Sequence, residues 1–123
     1  MTIALWIAQV LVAVVFLFSA ATKGTWSKEK LLAKGQTGVA PVPLPLLRLI
    51  ALAELLGGIG LIAPWWTGIA PSLTPLAAVG LGIVMIGAAT VHLRLREPRT
   101  ALGNLAILAL CAFIAIGRFT ALG

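Results

Sequence analysis

Charged residues are scarce in this sequence. Of its 123 residues, 61% are hydrophobic and only 10% are Asp, Glu, Lys or Arg, whereas an ordinary soluble domain has roughly 25% charged residues. A soluble domain of this size buries only about 60% of its unfolded surface, so much of its apolar surface would face water and cause aggregation. The composition therefore excludes an ordinary soluble fold and predicts a protein that is solvated by lipid.

Cysteine and histidine each occur once, as Cys111 and His92. A lone thiol cannot form an internal disulfide, and without a Cys-x-x-Cys pair the chain cannot perform dithiol chemistry by itself. A single histidine does not favour a haem or metal site, so we expect no metal. Phosphate-binding glycine loops and nucleophile elbows are also missing from the sequence, so such chemistry would need a partner.

The few charges that are present are mostly positive. The sequence has nine Lys or Arg residues and three acidic ones, which gives a formal net charge of +6. In a soluble protein this balance would suggest nucleic-acid binding. Here the basic residues form short clusters between apolar runs, which is typical of topology signals and headgroup contacts. We therefore expect the lipid bilayer to be the partner, and no nucleic acid.

Four apolar runs are long enough to cross a bilayer, whose hydrocarbon core of roughly 30 Å needs about 20 helical residues. We predict an all-α membrane protein, a four-transmembrane-helix bundle in a single domain. The predicted spans are residues 3–22, 46–63, 73–92 and 101–119. The small residues 19–21 also fit a signal-peptide cleavage site, but no Lys or Arg precedes the first apolar run, which favours a retained span.

The connections between the spans have distinct compositions. Residues 23–45 form a polar loop, in which Ser27 can cap a short interfacial helix and the alternating prolines of 40–45 indicate an extended segment along the headgroups. Residues 63–68 combine Pro, Gly and two Trp, which predicts a turn at the membrane interface. After the third span, Thr100 is the expected N-cap of the fourth.

The charge difference between connections predicts the orientation. The first and third connections carry seven of the nine basic residues, whereas the second carries none. By the positive-inside rule, these two connections face the cytoplasm and both termini face outward. We expect a multi-pass protein of the inner, or plasma, membrane.

Each predicted span carries a polar or small-residue stripe, because residues seven apart lie on nearly the same helix face. A bundle that turns these stripes inward accounts for all of them. In chain order the polar members are Gln9 and Lys23, Glu54 beside Gly57 and Gly58, His92, and Asn104 with Arg118.

Among the polar residues, Glu54 has the position with the largest free-energy cost. An ionised carboxylate near the middle of a bilayer costs about 2.5–3.5 kcal/mol or more on insertion scales, so we expect it to be protonated or paired. Lys23 and Arg118 are both possible partners if their side chains extend. The alternative interpretation is that Glu54 only fixes helix packing. Similarly, His92 and Arg118 could be interface anchors instead of site residues.

In order and spacing, these segments resemble the DoxX-like family of small membrane proteins. The resemblance is carried by 9–11 and 16–23, by 47–58 leading to Pro64, by 73–78 and 85–92, and by Asn104 with 117–119. It implies a four-helix membrane fold with Lys23, Glu54, His92 and Arg118 as its polar core. The family's namesake is similar to a subunit of a thiosulfate:quinone oxidoreductase, some relatives are associated with quinone or thiol stress, and distant relatives look like assembly helpers.

Two classes of function follow as hypotheses. In the first, the bundle binds a small lipophile such as a quinone, as a subunit of an oxidoreductase system or as a modest acid-base catalyst. The catalytic candidates are then Glu54 and His92, and the ligand-binding candidates are Lys23, Arg118, Asn104 and Gln9, with the cofactor left unassigned.

In the second class, the chain is a non-enzymatic assembly or scaffold partner. Small-residue faces such as Ala53-x-x-x-Gly57 and Ala78-x-x-x-Gly82 would then bind other membrane proteins or a second copy of the chain. Transport of a small solute is a third hypothesis. A tightly packed core around a fully paired Glu54 would count against the ligand-binding hypothesis.

Overall fold

The computed structural model describes residues 2–122, and these form five α-helices and no strand. The helices are α1 (Thr2–Thr25), α2 (Lys28–Ala33), α3 (Leu44–Thr67), α4 (Leu73–Arg94) and α5 (Pro98–Leu122), with a 3-10 turn at Thr37–Val39. All except α2 are long and apolar enough to cross a membrane. The all-α fold with four spanning helices is therefore confirmed.

The four long helices form a closed ring around one core. Helix α1 packs against α3 and α5, and α4 packs against the same two helices. Neighbours run antiparallel, since the end of α1 meets the first half of α3 while its beginning meets the second half. The core consists of apolar side chains from all four helices, among them Val12, Phe16, Leu61, Leu81 and Ile114, each at most 2% exposed.

The turn predicted at residues 63–68 is wrong in its position. Helix α3 continues through Pro64 to Thr67 and ends at Gly68, whose φ of +74° suits glycine. Because proline has no N–H, the Gly60 carbonyl loses its helical donor. The Thr74 hydroxyl of α4 donates to that carbonyl at 2.8 Å instead. A neighbouring helix thus allows the proline to remain inside the span.

Two helices begin earlier than their predicted spans. Helix α3 begins at Leu44, with Pro43 as its N-cap, and α5 begins at Pro98. Proline suits a helix start, because the first N–H groups have no partner within the helix. Thr100 therefore lies inside the first turn of α5, so its predicted role as N-cap is wrong. Both helices gain part of a turn at this end of the bundle.

Residues 27–43, which we call the strap, close one end of the bundle. Ser27 caps α2 by accepting a hydrogen bond from the Lys30 N–H at 3.1 Å, as predicted. The extended conformation predicted for 40–45 is wrong, because the chain turns at 40–42 and enters α3 at Leu44. Leu31 and Val39 are buried against Leu47 of α3. The 3-10 turn also contacts α4. Burial of these apolar side chains holds the strap against the helices.

Candidate functional site

The structure pairs Glu54 with Lys23. Glu54 is only 1% exposed, and its Oε1 lies 3.0 Å from the Lys23 Nζ, whose side chain is 21% exposed. Of the two partners that the sequence left open, the pairing is thus with Lys23 and not Arg118. Arg48 donates from Nη1 to the Lys23 carbonyl at 2.5 Å, which satisfies a free carbonyl near the end of α1. Helices α1 and α3 are tied together at this point.

His92 is paired with a residue outside the spans. Its Nδ1 lies 2.9 Å from Oε1 of Glu97, and the Thr37 hydroxyl of the strap donates to both carboxylate oxygens at 2.8 Å. The hydrogen bonds from His92 and Thr37 lower the pKa of Glu97 below its ordinary value of 4.5. Glu97 is therefore ionised at neutral pH and links the strap to the end of α4.

The local backbone explains why Glu97 lies beside His92. Helix α4 ends in a Schellman motif, in which Glu97 N–H donates to the His92 carbonyl at 2.8 Å and Arg96 N–H to that of Leu93 at 3.1 Å. Arg96 takes the left-handed conformation at φ +61°. This reversal folds the chain back over the last turn of α4 and carries the Glu97 carboxylate to the imidazole.

A cavity of about 540 Å³ lies between the strap and the bundle. Its volume falls within the roughly 300–1,000 Å³ that is usual for small-molecule sites. The wall is mainly apolar, and its polar side chains are Lys23, Gln36, His92 and Thr100. Apolar wall residues include Val39 and Val42 of the strap, Leu47 and Ile50 of α3, and Val84, Ala88 and Val91 of α4. We call this space the strap cavity.

Gly38 brings the strap backbone close to His92. A Cβ atom added at Gly38 would lie 2.9 Å from the His92 Nε2, so a larger residue there would displace the ring or the strap. The imidazole thus has its Nδ1 on Glu97 and its Nε2 edge beside Gly38, at the wall of the strap cavity. Its side chain is 12% exposed. Both ring nitrogens are placed by tertiary contacts.

A second polar cluster lies at the opposite end of the bundle, around Arg118. The Arg118 Nε donates to Gln9 Oε1 at 2.6 Å, and the Gln9 amide donates to the Leu61 carbonyl at 2.6 Å. The guanidinium carbon also lies 4.4 Å from the ring centroid of Trp65 and 5.4 Å from that of Trp6, which are cation-π distances. Arg118 is 2% exposed. We call this group the arginine cluster.

Three buried polar atoms have no hydrogen-bond partner within residues 2–122: Glu54 Oε2, Asn104 Nδ2 and Arg118 Nη2. The same residues contain no group of three His, Cys, Asp or Glu side chains that could hold a metal ion. Cys111 is a free thiol buried in the core.

Comparison with known families agrees with the helix pattern. The sequence model of the DoxX-like family matches residues 7–114. The chain belongs to the DoxX-like family. No curated protein and no solved structure matches this DoxX-like chain. The resemblance seen in the sequence is therefore confirmed, and the protein is a multi-pass membrane protein of that family.

The candidate site residues of this DoxX-like chain divide between the two ends of the bundle. Lys23 and His92 line the strap cavity, with Glu54 paired to Lys23. Gln9 and Arg118 form the arginine cluster at the other end. Glu54 and His92 therefore have different partners and do not hydrogen-bond to each other. Asn104 is half-buried and does not line the strap cavity.

Three polar residues of this site were not predicted from the sequence. Glu97 was interpreted as one charge of a connection, while Thr37 and Gln36 were part of a polar loop. The Gln36 amide donates to the Thr22 hydroxyl at 3.1 Å, which fixes the strap to α1. Only the five-residue separation of Glu97 from the sole histidine could have indicated a pair, since Thr37 is sixty residues away.

The small-residue faces named in the scaffold hypothesis are largely used inside the bundle. Ala78 is fully buried, and a Cβ at Gly82 would lie 3.2 Å from Leu108 of α5. A Cβ at Gly57 would lie 2.6 Å from Leu81 of α4. These glycines allow the chain's own helices to approach closely. They are therefore explained without a second protein.

Proposed function

We propose that this DoxX-like protein binds a small lipophile with a polar, quinone-like head in the strap cavity. The observation that carries the proposal is the composition of the cavity wall. Apolar side chains surround a space of about 540 Å³, and Lys23, Gln36 and His92 supply a few polar groups. Ligand sites typically combine a mainly apolar wall with a small number of placed polar groups.

The charges of the site support a ligand that exchanges protons. The His92 Nδ1 donates to the ionised carboxylate of Glu97, which orients the ring. The Lys23 ammonium group forms an ion pair with the Glu54 carboxylate. In this proposal His92 is the acid-base group, Lys23 binds the head of the ligand, and Glu54 acts through Lys23. The protein would serve as an acid-base catalyst or as the membrane subunit of an oxidoreductase system.

Binding of decylubiquinone, a short-chain quinone, to the purified protein in detergent tests this proposal. We expect saturable quenching of tryptophan fluorescence in the wild-type protein, since Trp26 packs against the buried strap residues. Ala88→Phe should abolish it, because Ala88 lines the cavity and the larger ring would project into the space that the ligand occupies. Ile86→Phe is the matched control, since Ile86 lies on the same helix and is 53% exposed.

Thermal unfolding of both variants shows whether they remain folded. Equal quenching in the wild type and in a folded Ala88→Phe variant would contradict binding in the strap cavity. Saturable quenching that persists in Ile86→Phe and is lost in Ala88→Phe would support it.

We also propose that the strap and the α4–α5 turn face the cytoplasm of a cell with this protein in its plasma membrane. Seven of the nine basic residues lie within 23–45 and 94–99, that is, in these two connections and the helix ends beside them, and positive charge favours the cytoplasmic side. Alkaline phosphatase fused after α5 should then be active, whereas a fusion after the strap should be inactive. The reverse pattern of activity would overturn the orientation.

A further inference from the structure

The His92 imidazole offers a hydrogen-bond acceptor to the strap cavity. An ionised carboxylate can only accept hydrogen bonds, so the Glu97 oxygen 2.9 Å from Nδ1 requires the proton to be on Nδ1. A neutral imidazole carries one N–H, and Nε2 is then unprotonated. The Thr37 hydroxyl already donates to the same carboxylate, which adds to the stabilisation of its ionised form. Nε2 makes no hydrogen bond to residues 2–122.

Lys23 offers hydrogen-bond donors to the same cavity. Its ammonium group has three N–H bonds, and one of them is directed to Glu54 Oε1. The lysine side chain remains 21% exposed and lines the cavity together with His92. The strap contributes only uncharged residues to this wall. The charged groups that the structure places on the His92 ring and on the cavity wall are thus Glu97, on the Nδ1 side, and Lys23, which is paired with Glu54.

We infer that the strap cavity selects lipophiles whose head carries a hydroxyl group, such as a phenol or a hydroquinone, over heads that can only accept hydrogen bonds. The hydroxyl donates to His92 Nε2 and its oxygen accepts from Lys23. This inference rests on the proposed function, since it concerns the ligand of that same cavity. It assigns Glu97 as a positioning residue, because Glu97 acts on the ligand only through the tautomer of His92.

The same arrangement permits a reversible proton transfer. The ligand O–H bond breaks, an N–H bond forms at Nε2, and the electron pair stays on the ligand oxygen. Glu97 stabilises the imidazolium that forms, and Lys23 stabilises the oxyanion. Return of the proton restores both groups, so the step needs no oxidant or reductant.

Two probes that differ only in one methyl group on the oxygen distinguish donor from acceptor heads. We expect 4-hexylphenol to bind the wild-type protein in detergent about tenfold more tightly than 4-hexylanisole, because one hydrogen bond is worth about 1.4 kcal/mol here. The difference should disappear in His92→Phe. Calorimetry at a fixed detergent concentration measures both affinities, with empty micelles as the partition control.

The protonation of His92 can be read directly, since it is the only histidine. Nitrogen-15 NMR of histidine-labelled protein at neutral pH should show a protonated Nδ1 and an unprotonated Nε2, with the Nε2 signal shifting when 4-hexylphenol binds. A protonated Nε2 in the neutral ring would overturn the inference. Because this measurement uses the wild-type protein, it does not depend on whether His92→Phe folds. Equal binding of phenol and anisole would overturn it while leaving the proposed function intact, whereas binding of neither these probes nor decylubiquinone would contradict the proposed function.

Discussion

The two polar regions of this bundle differ in the groups that pair with their basic side chains. At the strap end, Lys23 pairs with Glu54 and His92 pairs with Glu97, and these groups border a cavity. At the other end, Arg118 is bound by the neutral amide of Gln9 and by two indole rings, and no carboxylate of the described residues pairs with it. One region is charge-compensated and accessible, while the other is buried and uncompensated.

The two clusters also differ in how exposed their side chains are, which suits them to different roles. Lys23, His92 and Glu97 have side chains that are 12% to 29% exposed, so a ligand can reach them without unfolding a helix. Arg118 and Gln9 are at most 2% exposed, which suits a role in joining α1, α3 and α5. We therefore interpret the strap end as the site and the arginine cluster as a packing element.

The largest effect is expected from breaking the ion pair at the strap end. Lys23→Met leaves the Glu54 carboxylate buried without its cation, and should destabilise the protein by about 3 kcal/mol. The double variant Lys23→Met/Glu54→Leu should recover most of that loss, because an apolar pair of similar volume has no charge to desolvate. Reversible unfolding in mixed detergent micelles measures both. A single variant as stable as the wild type would show that the pair does not stabilise the bundle.

A smaller loss is expected in the arginine cluster. Gln9→Leu removes the acceptor of the Arg118 Nε and should cost about 2 kcal/mol, as for other hydrogen bonds to charged groups. Gln9→Glu is the informative counterpart, because it supplies a carboxylate to a cation that has none and should preserve or raise stability. The same unfolding assay applies. If Gln9→Glu is as damaging as Gln9→Leu, the cation is already compensated and the contrast between the two ends fails.

The smallest effect concerns pH. Because Glu97 has a lowered pKa in the folded state, its ionised form adds stability above its ordinary pKa of 4.5, and this contribution is lost as the pH falls through the lowered value. The unfolding midpoint should therefore fall less steeply between pH 5 and about 3 in Glu97→Gln than in the wild type.

Glu29→Gln is the control for that comparison, since Glu29 lies exposed on α2. Its pH dependence should match that of the wild type. Identical curves for Glu97→Gln and Glu29→Gln would mean that the link between Glu97, His92 and the strap does not contribute to stability.

Much of the fold could be predicted from composition and spacing, because each spanning helix must satisfy its own backbone and meet lipid with apolar side chains. The ends of the helices were harder to predict from the sequence. Pro64 indicated a turn, yet α3 continues because Thr74 of another helix supplies the missing donor. Arg96 occupies a Schellman position that usually carries glycine. The sequence therefore did not indicate the chain reversal that places Glu97 beside His92.

The candidate site was partly predictable for the same reason. The cost of a carboxylate in the membrane made Glu54 and its need for a partner evident from the sequence. The choice between Lys23 and Arg118 depended on which side chain reaches it at the right depth, which spacing along separate helices does not determine. The position of the cavity was not predicted, since its wall includes strap residues that the sequence indicates only as a polar loop.

Local composition and helical period are therefore sufficient to predict the lipid-solvated, four-span architecture and the residues that carry polar groups into it. Which polar groups meet depends on the three-dimensional fold. It separated Glu54 from His92, paired each with another residue and folded the strap over the end of the bundle, because those contacts depend on the relative depth and rotation of helices far apart in the chain.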